Sequence, residues 1–369
     1  VEIILLVITY SFLVGIINLI YPQVFKYKKI AQQLPSLTII IPVRDEVRIL
    51  KKSSESLLSL NYPDLEILYY DDGSLDGSDE LLRDIQDQQK EKIRLIKGNE
   101  PEKGWLGKNY ACYSAASEAK GEYLLFIDAD VVISNSDLLL QAISYMKEYK
   151  LEGLSLMPEQ RSRGSLSKYL IPFIMQWPIR NFMPMKLVEM INISLFANGQ
   201  FLLISKKSYA SIAGHKSVKS SLIEDIALFK ELNSQGYRVR TMFAFNELHS
   251  YMYEDLRSVI DGFSKNIYYV FGGNLLLFLI WQILLFSNLI PFFLLPFFKD
   301  ALPLVLIILL SRLLMLSKRD KTVVLELLLF PVELSLLIVI SWISIYRNIK
   351  KKVIWENRDV YSSSSTSMA

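Results

Sequence analysis

Cysteine occurs once and histidine twice in this 369-residue chain. A lone Cys112 rules out an internal disulfide and a cysteine-rich zinc site, and it reads as an inert thiol buried on a helix. His215 and His249 stand too far apart in sequence to make a zinc site on their own. No GxxxxGK[ST] phosphate loop occurs, so a nucleotide must be held by other means. No internal repeat is visible. Charge of one sign is also scarce, with 41 Lys and Arg against 38 Asp and Glu and a net of +3. That net charge is too small to argue for nucleic acid, no nucleic-acid partner is expected, and the slight excess fits anionic lipid headgroups or a phosphate-bearing substrate.

Apolar residues are abundant. They make up 51% of the chain, with a mean hydropathy of +0.26, too apolar for a purely soluble protein. The excess gathers at the two ends. Val1 to Ile20 carries one charge, Glu2, and roughly 20 residues at about 1.5 Å each cross a bilayer core. The expected anchor is 1–22, with Lys26, Lys28 and Lys29 setting the downstream side in the cytoplasm. A signal peptide would begin with basic residues and end in a small-residue cleavage site, and the run has neither. The chain opens without an initiator Met, which leaves room for residues before it.

After Lys265 the sequence turns apolar again, over 274–346. Leu275–Phe298 holds Pro291 and Pro296, Ala301–Leu316 is short, and Val323–Tyr346 carries Glu326, Pro331 and Glu333. Three full spans would export the basic Arg347–Lys352 cluster. One imperfect span, with the central domain and the C-terminus both cytoplasmic, satisfies the positive-inside rule better. The expected product is a multi-pass protein of the cell membrane with a basic, disordered tail over 347–369, its serine-rich end starting at Ser362.

Between these ends, short apolar runs alternate with helical stretches. Leu37–Pro42, Leu65–Tyr70, Ile93–Ile96 and Glu122–Ile127 read as buried strands. Glu46–Leu60, Ser78–Gln89 and Lys108–Ala119 read as helices. The alternation predicts βαβ units and an α/β domain over 36–270, built on a mostly parallel, Rossmann-like sheet with right-handed crossovers. The segment 166–196 is rich in Phe, Met, Ile and Trp177, has Arg163, Lys168, Arg180 and Lys186 at or within its edges, and is divided by Pro172, Pro178 and Pro184. It reads as pieces too short to span that lie in the headgroup zone, or as a buried amphipathic element.

The strand Tyr123–Ile127 runs into Asp128-Ala129-Asp130, two carboxylates one residue apart. At the carboxyl edge of an open α/β sheet, where ligands bind, such hard oxygen donors suit Mg²⁺ or Mn²⁺ shared with a diphosphate. Two other strands also end in acids, one at Arg44-Asp45-Glu46 and one at Asp72. Each has a plainer reading, Asp45 as a helix N-cap and Asp72 as a turn residue, but three acidic ends on one edge exceed what caps require.

Pro42-Val43-Arg44-Asp45-Glu46, Asp71-Asp72-Gly73-Ser74, Asp128-Ala129-Asp130 and Glu224-Asp225 resemble the four ordered motifs of family 2 glycosyltransferases with the GT-A fold, over about Leu37 to Tyr269. The resemblance implies nucleoside contacts from Asp45 and Asp72, with Pro42, Arg44 and Glu46 beside them. It implies Mn²⁺ or Mg²⁺ on Asp130 and Asp128, and Asp225 as general base. Gly104-Trp105-Leu106-Gly107-Lys108-Asn109, Asn198-Gly199-Gln200-Phe201, Gly214-His215-Lys216 and Gly262-Phe263-Ser264-Lys265-Asn266 resemble the membrane-bound branch that includes carotenoid-acid and hopanoid-type glycosyltransferases. That narrower likeness implies an isoprenoid or other lipid acceptor, and the two resemblances together lead to the expectation of one sugar moved from a nucleotide-sugar donor to that lipid with inversion. Lys108, Gln200, His215, Glu224, Phe263 and Lys265 join the expected substrate contacts.

Plainer roles stand beside these: helix-dipole acids for Glu224 and Asp225, a solvated Lys108, a core Phe263, and a His249 that packs or caps a strand end. Many relatives carry Q/R-x-x-R-W where this chain has Val259-Ile260-Asp261-Gly262-Phe263, and its loss argues against a processive polysaccharide synthase. A polyprenyl-phosphate acceptor, or a donor-binding membrane protein without catalysis, are the alternative readings. A transporter would need intramembrane charged networks and repeats, which the C-terminal segments lack.

Overall fold

The computed structural model describes residues 2–162, 164–193, 196–316, 323–350, 354–355 and 358–359. In chain order its elements begin with α1 (Glu2–Ile20), β1 (Leu37–Val43), α2 (Val47–Leu58), β2 (Leu65–Asp71), α3 (Ser78–Gln88), β3 (Ile93–Lys97) and α4 (Gly107–Glu118). There follow β4 (Tyr123–Phe126), β5 (Val131–Ile133), α5 (Leu138–Tyr149), β6 (Gly153–Gln160), α6 (Ser167–Phe182), α7 (Met185–Met190), β7 (Leu202–Ser205) and α8 (Lys206–Ser211). The chain then forms α9 (Glu224–Ser234), β8 (Val239–Ser250), α10 (Leu256–Val270), α11 (Leu275–Leu294), α12 (Leu302–Met315) and α13 (Val323–Ile349). Two compact units result, an α/β unit of 24–160 with 192–252 and a helical unit of 1–23, 161–191 and 253–361.

The α/β unit is one eight-stranded sheet in the order β3-β2-β1-β4-β7-β6-β8-β5. Strands β1 (LTIIIPV) and β4 (YLLF) form where the sequence is almost wholly apolar, as in a sheet with helices on both faces. Side-chain alternation sorts β1 between two cores. Ile39 and Ile41 pack with Leu125, Leu50 and Leu57 of α2 and Leu139 and Ile143 of α5. Ile40 packs on the opposite face with Leu68, Ala111 and Ala115 of α4 and Phe229 of α9.

Strands β3, β2, β1 and β4 are parallel, with Val43 opposite Asp71 and Ile40 opposite Phe126. Their carboxyl ends therefore open on one edge. The other half of the sheet is mixed, since β7 runs antiparallel to both β4 and β6, and β5 antiparallel to β8. The apolar-run pattern does not reach that half: β7 has 4 residues and β5 has 3, too short for periodicity to register, and β6 contains Pro158 and Glu159.

In the helical unit, α1, α11 and α13 are long and apolar enough to cross a membrane, at 19, 20 and 27 residues. Helix α12, at 14 residues, is not. Two expectations need correction here. Pro172 and Pro178 do not divide the segment around Trp177, because α6 runs through both as one 16-residue helix. Its buried face supplies the compensation: Phe173 stacks on Trp177 at 5.0 Å, and Trp177 meets Phe330 of α13 edge-on at 5.5 Å. Nor does Arg347 open a disordered tail. It belongs to α13, where its guanidinium pairs with Asp261 of α10 at 2.6 Å and donates to Ser264 at 2.7 Å. Arg163, Lys351, Lys352 and the stretch from Ser362 lie outside the described residues.

Candidate functional site

The carboxyl edge of β1, β2 and β4 gathers the acidic strand ends. Arg44, just past β1, reaches across to Asp72, its guanidinium donating to the backbone carbonyl at 2.7 Å and standing 3.3 Å from the carboxylate. Asp72 is buried, so it has lost its water and the arginine replaces it. The helix cap of Asp45's plainer reading falls to the next residue, Glu46, and Asp45 itself is exposed. It adopts a left-handed φ of 56°, accepts from Leu75 N at 2.7 Å, and its own N–H donates to Ser74 Oγ at 3.1 Å. The loops after β1 and β2 are thereby tied together, with Glu46 N donating to Ser78 Oγ at 2.9 Å. Pro42 closes β1 half-buried under this loop pair.

The chain turns after β4, so Asp128 and Asp130 leave the strand and find different partners. Asp128 Oδ1 receives Lys108 Nζ at 2.7 Å, and the same ammonium lies 2.9 Å from Glu224 Oε1. Burial works to lower the Lys108 pKa, but Asp128 and Glu224 outweigh it and hold the ammonium charged well above its usual range. Asp130 Oδ2 accepts from Ser250 Oγ at 2.9 Å, and its buried Oδ1 takes no donor among the described residues. Burial, with the neighbouring Asp128, pushes Asp130 up to about 7.

Helix α9 begins at Glu224 because the loop before it is anchored from α4. Asn109, 1% exposed, directs its amide nitrogen at the carbonyls of Val218, Lys219 and Ser221 at 3.0, 3.2 and 2.9 Å. Leu106 N adds a bond to Lys219 O at 2.9 Å. The lysine loop and the Glu224-Asp225 loop are thus one fastened piece. Asn109→Ala is expected to cost about 1–3 kcal/mol, the usual penalty for leaving buried acceptors unpaired, read as a lower thermal midpoint. Asn109→Asp, facing three carbonyls with a carboxylate, should cost more.

Asp225 accepts from Gly199 N at 2.8 Å and from its neighbour Ile226 N at 2.7 Å. Burial first, then the adjacent Glu224, raises its pKa to about 7. Gly199 marks where these groups meet. A Cβ added there would stand 3.3 Å from Lys108 Nζ, 3.4 Å from Glu224 Oε1 and 3.5 Å from Asp225 Oδ2. A methyl there would crowd the Lys108 ammonium and touch both carboxylates.

Four expected contacts are placed differently. His215 is 1% exposed in a 3-10 turn. Tyr209 OH accepts from His215 N at 3.1 Å and shares a 2.9 Å bond with Nδ1, which favours a neutral ring with its proton on Nε2. Burial, then Lys108, lowers the imidazole to about 3. The ring still lines a small cavity beneath Lys108 and Glu224. Gln200 is buried, with its amide bonded to Gln160 and Ser250. Phe263 and Lys265 lie on α10 in the helical unit, Phe263 buried edge-on against Tyr253 at 5.6 Å. His249 sits within β8, opposite Val132 of β5.

Among the described residues no three His, Cys, Asp or Glu side chains gather as a metal cluster. The protein offers two carboxylates, one with a free buried oxygen. That set fits a hard divalent cation whose remaining ligands come from water and substrate phosphate. Sequence reasoning missed Ser250 and named Asn109 and Gly199 only as members of motifs, because their roles arise from contacts distant in the chain.

Comparison with known proteins gives a consistent result. The glycosyl transferase family 2 pattern matches residues 38–210. The 4,4'-diaponeurosporenoate glycosyltransferase of Staphylococcus aureus (strain bovine RF122 / ET3-1) is 25% identical over 255 residues, covering 65% of this chain and 62% of that protein. The Staphylococcus haemolyticus enzyme of the same name is 25% identical over 244 residues, covering 66% and 64%. The match thus spans a little under two thirds of the relatives' length. In fold, the chain is similar to a mannosyltransferase from Pyrobaculum calidifontis solved with GDP-Man and Mn²⁺, with a TM-score of 0.58 at 14% identity, over 94% of this chain and 99% of that one.

Proposed function

Residues 38–210 are a glycosyl transferase family 2 domain, and from that premise we propose a membrane-anchored enzyme that moves one sugar from a nucleotide-diphosphate sugar to an isoprenoid-type lipid, with inversion. The observation that carries this reading is the convergence at Gly199 of Lys108, Glu224 and Asp225, with Asp128 on the same ammonium. Inverting transfer needs a base near the acceptor and positive charge near the leaving diphosphate. Asp225, fixed by two backbone N–H groups, is the base. Arg44, Asp45, Glu46, Asp72 and Pro42 border the nucleoside. Lys108 keeps Asp128 and Glu224 in place.

Asp130 and Asp128 would hold Mn²⁺ or Mg²⁺. When bound, such an ion supplies the Lewis acidity that neutralises a departing diphosphate. The protein's own share is to orient Asp130 and to bar water from the buried side of the site. The acceptor class is supported by the relatives, which are named for diaponeurosporenoate.

Three helices of spanning length support a cytoplasmic catalytic unit. With α1, α11 and α13 crossing and α12 short, domain and C-terminal end fall on one side, the side rich in Lys26, Lys28 and Lys29. Leu187, Met190 and Ile191 are exposed on and after α7, at 52, 72 and 55%, as an interfacial segment would be.

The test is transfer by detergent-purified protein, using a panel of labelled nucleotide sugars, Mn²⁺, Mg²⁺ or EDTA, and a membrane lipid extract. Label should enter the lipid phase from one donor and stop with EDTA. An acid-labile phosphodiester product would move the acceptor to a polyprenyl phosphate. No transfer and no metal-dependent nucleotide binding would sink the enzyme reading altogether.

A further inference from the structure

A chain of buried side-chain hydrogen bonds ends on Asp130. It starts at Gln160, the last residue of β6, whose amide nitrogen lies 2.8 Å from Gln200 Oε1 and 3.3 Å from Pro158 O. Two acceptors face that nitrogen, so the amide can point only one way. Gln200 then accepts through Oε1 and must turn its own nitrogen to Ser250 Oγ, at 2.6 Å. The Ser250 hydroxyl has one proton, and with Gln200 donating to its oxygen that proton goes to Asp130 Oδ2 at 2.9 Å. Every link runs the same direction. Gln160, Gln200 and Ser250 are 4, 5 and 0% exposed, so water does not compete for these positions.

The backbone holds the chain rigid. Ser250 lies opposite Gln160 on β6 and Val131 on β5, Tyr251 N donates to Asp130 O at 3.1 Å, and Gln200 N donates to Asn198 Oδ1 at 2.9 Å. At the far end Asp130 Oδ1 is buried and takes no donor among the described residues. A carboxylate with one oxygen fixed by a donor and the other left bare is aimed.

We propose that Gln160, Gln200 and Ser250 are positioning residues that fix the rotamer of Asp130 and reserve its Oδ1 for a divalent cation. The inference rests on the metal-assisted reading above and adds what this chain builds behind it. It also gives the buried glutamine at 200 a role. An amide accepts through its oxygen and donates through its nitrogen, so Gln200 can link Gln160 to Ser250, and residues behind a metal ligand commonly set its orientation and affinity.

The test is Mn²⁺ binding by the full-length detergent-purified protein, followed by electron paramagnetic resonance with UDP or GDP present. Asp130→Asn serves as the reference for a lost ligand. Ser250→Ala is expected to weaken Mn²⁺ about 10–100-fold, the usual effect of removing such a partner, with Ser250→Thr restoring affinity to within about threefold. Gln200→Met, which breaks the relay one link earlier, should weaken binding in the same direction and keeps the test alive if Ser250→Ala does not fold. Native-like affinity in Ser250→Ala or Gln200→Met, with Asp130→Asn defective, overturns the relay alone. Equal loss in Ser250→Thr and Ser250→Ala would assign the effect to packing and also overturn it. No Mn²⁺ binding by the unaltered protein would instead bring down the metal-assisted reading itself.

Discussion

Asp225→Asn is expected to slow transfer to an alcohol acceptor by about 10²–10⁴-fold, the usual share of a general base, with donor binding nearly unchanged. The carboxylate is needed ionised, because only then can it take the hydroxyl proton as the new glycosidic bond forms. Its pKa of about 7, raised by burial and by Glu224, places that ionisation within the working range. The pH profile of kcat/KM should therefore climb as pH rises through about 7 and level above it, and Asp225→Asn should flatten that limb. An internal control comes from acceptor chemistry. A carboxylic acid acceptor is already ionised at neutral pH and needs no base, so the same variant should lose far less on an acid than on an alcohol. Equal loss on both would make Asp225 a positioning residue. A structural cost of about 1–3 kcal/mol accompanies the change, since the new amide turns an N–H toward Gly199 N or Ile226 N.

The first half of the sheet was legible because its physics is local. LTIIIPV and LEILYYD are buried on both faces and announce themselves as apolar runs, and the helices between them end within about two residues of expectation. The mixed half was not legible. Strand β6 joins the sheet through pairing with β7 and β8, and nothing in GLSLMPEQ marks it as a strand before those partners arrive. The site divides along the same line. Asp72, Asp128, Asp130 and Asp225 stand at element ends, where one glance at the sequence finds acids out of place. Gln200, placed among the substrate contacts, instead serves Ser250 fifty residues away, a relation that no spacing rule encodes. His215 fails for a similar reason: a Gly-His-Lys turn looks mobile until Tyr209 and Phe126 close over it.

Lys108→Met should be the most damaging single change to the fold and the site together. The ammonium stands between Asp128 and Glu224 at 2.7 and 2.9 Å with its side chain 19% exposed. Its removal leaves two carboxylates facing each other, with Asp225 and Asp130 close by. Breaking a buried pair by deleting one partner costs about 3–5 kcal/mol, against a typical total stability of about 5–15 kcal/mol. The folded pKa of Lys108 is raised, so its contribution is complete below the ordinary lysine value of about 10.4 and is lost only as pH climbs through the folded value. The native protein therefore holds it at every physiological pH. The variant should behave in the opposite sense, its deficit shrinking on acidification as protons replace the missing charge. Lys108→Met with Glu224→Gln should recover part of the stability, because the second change removes one of the repelling charges. Transfer should not recover with it. Losing the preorganised charge that holds Asp128 and Glu224 in place should cost about 10²–10³-fold in kcat, and stability restored without turnover would separate a structural from a catalytic duty. Additive losses in the double variant would mean that Lys108 and Glu224 are not coupled at all.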